Sequence, residues 1–186
     1  MKTLFSAIRL TLVSMVLFAV VYPLLITGIA QLAPNHGKGE IIQLNGKTVG
    51  YQKLGQSFTN DKYFWSRPSA VGYNATGSAG SNKGPTNADY LATVQARIDT
   101  FLVHNPKIEK SQIPSELVTA SGSGLDPDIS PASARIQIKR IADARKIPEV
   151  KVMALINSYT QKPLLGIFGP ETINVLELNV ALDGLK

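Results

Sequence analysis

Residues 10–33 read LTLVSMVLFAVVYPLLITGIAQLA, twenty-four positions without one charged side chain. An α-helix of that length reaches about 36 Å, enough to cross a hydrocarbon core of about 30 Å with some tilt. Two readings follow, a retained membrane anchor or a signal peptide awaiting cleavage. Lys2 and Arg9 give a basic start, and Gly28-Ile29-Ala30 places small residues at a spacing that a signal peptidase accepts. A signal peptide's apolar region runs to only about 7–15 residues, so length favours the anchor. Pro23 and Gly28 are compatible with a span, since membrane helices tolerate both. Lys2 and Arg9 precede the span while Lys38 and Lys47 follow it, and the positive-inside balance narrowly favours an inside amino terminus. The expected division is an anchor over 1–33 and a soluble domain over 34–186, outside the cytoplasm.

The 153 residues beyond position 33 suffice for one domain with a real core. The net charge of +6 falls to +4 once Lys2 and Arg9 are set aside. Its densest basic cluster, Arg135, Lys139, Arg140, Arg145 and Lys146, lies along one expected helix. That is not the basic run that reads a nucleic-acid backbone, so nucleic acid is not an expected partner. The absence of cysteine removes disulfides, thiolate chemistry and cysteine zinc sites together, and a domain of this size can be exported without them.

Asn45-Gly46 between Glu40–Leu44 and Lys47–Tyr51 supplies the two positive φ angles of a type I′ turn and predicts a β-hairpin. Aromatics concentrate in Tyr63-Phe64-Trp65, followed by Arg67. From Ser69 to Asn87 the chain is mostly Gly, Ser, Asn, Ala and Pro, with almost nothing to form a core, a stretch too long to be structureless in a compact domain without a functional reason or disorder. Thr86-Asn87 opens a helix with Leu91, Val94, Ile98 and Phe101 or Leu102 on one face, stopping before Asn105-Pro106. Ser130-Pro131 starts a helix through Ala134, Ile138, Ile141 and Ala142. Pro148 starts another, with Val152, Leu155, Ile156 and Tyr159 at helical spacing. Asn174, Leu176, Leu178, Val180 and Leu182 alternate at period two, which predicts a half-buried strand. The fold class expected is α+β, with one small sheet and about three helices beside the anchor.

Chemistry is sparse. His36 and His104 have no neighbouring ligands at metal spacing, so zinc is not expected. Neither a G-x-S-x-G elbow nor a Walker-type phosphate loop occurs. Ser121-Gly122-Ser123-Gly124 could bring backbone N–H groups to an anion, and Asp126 with Asp128 could hold a cation. Calcium needs six or more oxygens, and a tight turn capping the next helix explains the segment as well. Asn74-Ala75-Thr76 matches a glycosylation acceptor, a pattern too common to carry weight. The Tyr63, Phe64, Trp65 and Arg67 cluster has the composition of an interface hot spot, and equally of a buried core. The adjoining glycine-rich loop tips the expectation towards docking.

These residues also carry a resemblance. Tyr22-Pro23, Gly55-Gln56-Ser57-Phe58, and the run from Tyr63 to Ala70 resemble the C subunit family of Kdp-type potassium-transporting ATPases. So do Tyr73-Asn74-Ala75 through Gly80-Ser81-Asn82, Val118 to Pro127, Ile129-Ser130-Pro131, and Asn174 to Asn179. The resemblance implies a non-catalytic accessory subunit on a bacterial inner membrane. It has no cofactor of its own, and ATP, Mg and K belong to partner subunits. Those partners are the P-type ATPase catalytic subunit and the channel-like potassium-translocating subunit. It further implies assembly of the two and a raised apparent affinity for ATP, with Ser121, Gly122, Ser123 and Gly124 compared to a nucleotide-sensing signature. Asp128 stands where the family's pattern has His or Asn. Partner contacts are expected at Tyr63, Phe64, Trp65, Arg67, Asn74 and Asn82, and helix packing at the small residues Ala19, Gly28 and Ala30.

Readings from other classes are a processed hydrolase using Asp126, Asp128 and Glu116, and a solute-binding lipoprotein-like domain. The lack of any cysteine near the span argues against the latter.

Overall fold

The computed structural model describes residues 2–185. It divides into two units, Met1–Glu40 and Ile41–Lys186.

The first unit is a helix over Lys2–Ala30, long and apolar enough to cross a membrane. It consists of α1 (Lys2–Val16), a π-helical turn (Leu17–Val21) and α2 (Tyr22–Ala30). Proline explains the π turn: Pro23 has no N–H to give to the Ala19 carbonyl, so the ladder widens just before it. The Tyr22 N–H reaches back five residues to the Leu17 carbonyl instead. Thr27 Oγ1 donates to the Pro23 carbonyl at 2.8 Å. After Ala30 a turn leads into a short 3-10 segment, Pro34–Gly37.

The second unit begins with the expected hairpin, β1 (Ile41–Leu44) and β2 (Lys47–Tyr51), antiparallel about Asn45 and Gly46 at φ 51° and 75°. Helix α3 (Ala88–His104) starts where the Asn87 side chain accepts the Tyr90 N–H. Only its carboxy-terminal half is anchored in the core through Phe101, and Leu91, expected on the buried face, is exposed. Two short 3-10 turns follow, and β3 (Asp128–Ile129) leads into α4 (Pro131–Arg135), capped by Ser130.

Three expectations are corrected. The single helix from Ser130 through Ala142 is two helices, α4 and α5 (Ile138–Arg145). The break falls at Gln137, whose buried side chain spends its hydrogen bonds on the Trp65 backbone and the Ser133 carbonyl. Helix α6 (Glu149–Tyr159) follows as expected, burying Val152 and Ile156. The period-two strand from Asn174 is instead a helix, α7 (Val175–Asp183), preceded by the two-residue strand β4 (Ile173–Asn174), which pairs with β3. Val175, Leu178, Asn179 and Leu182 are the buried i, i+3, i+4, i+7 set, and Leu176 is buried too. Apolar residues at nearly every position mimic alternation because the helix is enclosed on most sides. The Asn174 side chain, accepting the Glu177 N–H, decides for the helix. Third, among the described residues the unit holds two two-stranded sheets and five α-helices rather than one small sheet and about three helices. The class remains α+β.

The core joins Ile138, Ile141, Val152, Ile156, Val175, Leu178 and Leu182 from α5, α6 and α7 with Phe64 and Phe101.

Candidate functional site

The segment from Tyr63 to Arg67 belongs to no helix or strand, and it carries the buried Phe64 and Ser66. Side chains supply its partners. The Phe64 N–H donates to Asn179 Oδ1 at 2.8 Å, and Asn179 Nδ2 donates to the Phe64 carbonyl at 3.0 Å. Next door, the Trp65 N–H donates to Gln137 Oε1 at 2.8 Å. Both amides are buried, as an unpaired backbone group here would be costly.

Phe64 is fully buried, and Trp65 is partly buried with its ring edge against Phe101 and 4.9 Å from the His104 ring. The Arg140 guanidinium lies 4.6 Å from the Trp65 ring centre and donates to the Asp61 and Tyr63 carbonyls at 2.8 and 3.0 Å. Burial pulls Arg140 down to about 10, opposed by the charge of Asp61. Tyr63 Oη donates to Asp183 at 3.0 Å, beneath the Arg145 guanidinium. These three aromatics therefore sit in a packed, hydrogen-bonded centre. Arg67 pairs with Asp126 at 2.7 Å and gives its carbonyl to Tyr73 Oη.

Asn74 and Asn82 are exposed on the irregular 69–87 segment. Asn74 Oδ1 closes its own turn by accepting from Thr76. The segment has no helix or strand over 69–86, yet it is pinned to the serine-glycine loop. Ser78 Oγ donates to the Ser123 carbonyl at 2.9 Å, and the Ser121 N–H donates to the Pro68 carbonyl at 3.1 Å. Gly124 has φ +68°, and a Cβ there would stand 2.6 Å from Val71 Cγ2 and 2.7 Å from the Ala79 carbonyl. Gly122 has open space around it. Ser121 is buried, and the Gly124 and Leu125 N–H groups are taken by Ser121 and by Ser123 Oγ. Within the loop, the Gly124 N–H closes the turn and the Ser121 N–H reaches out of it to Pro68.

The carboxylates of the hydrolase reading are engaged separately. Asp126 holds Arg67 and accepts the Asp128 N–H. Glu116 Oε1 accepts from the Ser130 N–H and from Ser133 Oγ, holding the start of α4. Burial pushes Glu116 up, but the bonds from Ser133 and Ser130 and the charge of Arg67 outweigh it and hold the group below its ordinary value. Asp128 is raised, by burial first and then by the Asp126 charge, against a bond from Asn174. No group of three or more His, Cys, Asp or Glu among the described residues is placed to hold a metal ion. A cleft of about 360 Å³ beside His104 is bordered by Asp61, Lys139 and Asp143.

On the first unit, Gly28 and Ala30 are two positions apart, about 200° around an α-helix, so they cannot share one packing face. Ala30 Cβ closes instead on Gly37, where an added Cβ would stand 3.0 Å away.

Two features escaped the reading of the sequence. One is the pair of buried amides, Gln137 and Asn179, whose partners lie 72 and 115 positions away. The other is a hairpin-like loop closed by a Gln161–Thr172 bridge, whose apex exposes Leu164, Leu165, Ile167 and Phe168. Its signal was present in PLLGIFGP, where prolines and glycines bracket four large apolar side chains.

The chain thus carries a helix long and apolar enough to span a membrane and an α+β unit whose aromatic cluster is packed into its core. The comparisons give the class: the chain belongs to the family of K+-transporting ATPase c chains, whose model matches residues 4–184. Among relatives, the potassium-transporting ATPase KdpC subunit of Flavobacterium johnsoniae is 64% identical over 186 residues, covering all of both chains. That of Bacteroides fragilis is 56% identical over 189 residues, covering all of this chain and 99% of the relative. The KdpC subunit of Caldanaerobacter subterraneus is 46% identical over 176 residues, 94% of this chain and 91% of the relative.

Proposed function

We propose that this chain is a non-catalytic accessory subunit that stabilises the association of pump and channel-like subunits in an ATP-driven potassium-uptake complex. The observation that carries the reading is the family match over both units, the apolar helix as well as the domain. Lys2–Ala30 anchors the chain in the bacterial cytoplasmic membrane, with the amino terminus inside and the α+β unit on the outer face. ATP, Mg and K act in the partner subunits. A rise in ATP affinity would then be a coupling free energy passed through those partners. The Ser121–Gly124 loop would contribute by holding the 69–87 segment in shape, through Ser78 on the Ser123 carbonyl and the close packing of Gly124 against Val71 and Ala79. Asn74 and Asn82 are the expected side-chain contacts best placed to meet a partner, because Tyr63, Phe64 and Trp65 are occupied in packing.

The test is purification of the chain, tagged at its carboxy terminus, from gently solubilised membranes. Co-purification of a P-type ATPase and a channel-like subunit with potassium-stimulated ATP hydrolysis supports the reading. A chain that emerges alone and shortened at its amino terminus overturns it and returns the processed hydrolase.

A further inference from the structure

Among the described residues of the second unit, large apolar side chains such as Val103 and Val150 are exposed singly, whereas the apex of the 161–172 loop exposes four together. Leu164, Leu165, Ile167 and Phe168 are 70, 81, 76 and 60% exposed. Leu165 stands at φ +54°, where a bulky residue is disfavoured, so the chain accepts backbone strain to present a large apolar side chain to the outside. Residues 163–170 hold no side chain that can donate or accept a hydrogen bond. The apex also satisfies much of its own backbone. Leu164 and Phe168 each donate an N–H to the other's carbonyl across it, Gly166 donates to the Pro163 carbonyl and Ile167 to the Leu164 carbonyl. A loop with those properties carries few unpaired N–H groups into the headgroup boundary of a bilayer.

We infer that this apex is a wedge that inserts at shallow depth into the surface of a lipid bilayer, the one in which the chain's own helix is anchored. The inference rests on the anchor proposed above. Two observations favour lipid over a protein pocket. Protein interfaces are oriented by polar contacts, about one hydrogen bond per 100–200 Å², and this apex offers no polar side chain to make them. Lipid requires no such complementarity. Second, only residues 31–40 separate α2 from β1, a covalent reach of at most about 36 Å, so an anchored helix keeps a bilayer permanently near the domain. Tethering of that kind raises effective concentration to about the millimolar range, so even a weak partition populates the inserted state.

The absence of cysteine in the chain makes the test clean. Full-length protein carrying Ile167→Cys, labelled with an environment-sensitive fluorophore, is reconstituted alone into phosphatidylcholine and phosphatidylglycerol vesicles. Asn157→Cys on exposed α6 is the control. Flotation with the vesicles first reports the anchor, and a chain that does not float sinks both the anchor and the wedge. With the chain afloat, the inference expects about threefold more quenching at 167 by nitroxide-bearing lipid than at 157, and shielding from aqueous iodide. Leu164→Ser with Phe168→Ser, in the labelled background, should abolish the difference, which separates insertion by the protein from insertion by the dye. Equal aqueous exposure at both positions in floating protein overturns the wedge and leaves the anchor standing. Shielding at 167 that arises only when other subunits are present also overturns it, in favour of a protein pocket.

Discussion

Asn179 holds Phe64 by both of its backbone groups, the N–H at 2.8 Å and the carbonyl at 3.0 Å, in the way a neighbouring strand would. The amide is buried in α7, and Phe64 is wholly enclosed. Asn179→Ala strands a donor and an acceptor where water does not reach, so it should cost about 2–4 kcal/mol. Denaturant melts of the full chain in micelles check this, and a loss under about 0.5 kcal/mol, the range of an ordinary surface change, would refute the clamp.

Trp65 separates the core reading from the docking reading. Its ring meets Phe101, His104 and the Arg140 guanidinium, so Trp65→Ala should cost about 3–5 kcal/mol and broaden the melt. A variant that melts like the parent but loses its partner subunits on purification would return Trp65 to the docking surface.

The serine-glycine loop makes a paired prediction. Gly124→Ala meets Val71 and the Ala79 carbonyl at positive φ and should cost about 1–3 kcal/mol. Gly122→Ala enters open space and should stay within about 0.5 kcal/mol. Amide exchange over 69–80 should quicken in the first variant only. If both variants exchange like the parent, the loop does not hold that segment.

Two carboxyls should shape the acid side of the stability curve in opposite directions. Glu116 is held below its ordinary 4.5, so its stabilisation is present above that pH and is lost as pH falls through the folded value. Asp128 is raised above its ordinary 3.8, so its contribution is full below that pH and is lost as pH rises through the folded value. Glu116→Gln should therefore lower Tm at neutral pH, and Asp128→Asn should raise it. Both gaps close in acid. A parallel offset at every pH would show that neither group is shifted.

What the sequence made legible was what short-range chemistry determines. Asn45-Gly46, the Asn87 cap and Ser130-Pro131 each specify their turn within a few residues, and the structure has each of them. The helix at Val175 was misread because its enclosure makes almost every position apolar, which erases the difference between the two periods. The clamps on Phe64 and Trp65 were beyond reach, since a polar residue inside an apolar helix does not say which distant backbone it meets. At the candidate site, the composition of Tyr63-Phe64-Trp65 suited either a core or an interface, and only burial distinguishes them.

The distances along the chain have a consequence for how the domain is made. The centre at 64 and 65 waits for partners 115 and 72 residues downstream. Contacts so remote in sequence form late, after long loops have closed. Nothing can complete the centre until α7, with Asn179 115 positions beyond Phe64, has been synthesised. Until then the centre at Phe64 and Trp65 stays open. Deleting α7 would not trim an end. It would leave the protein in that open state.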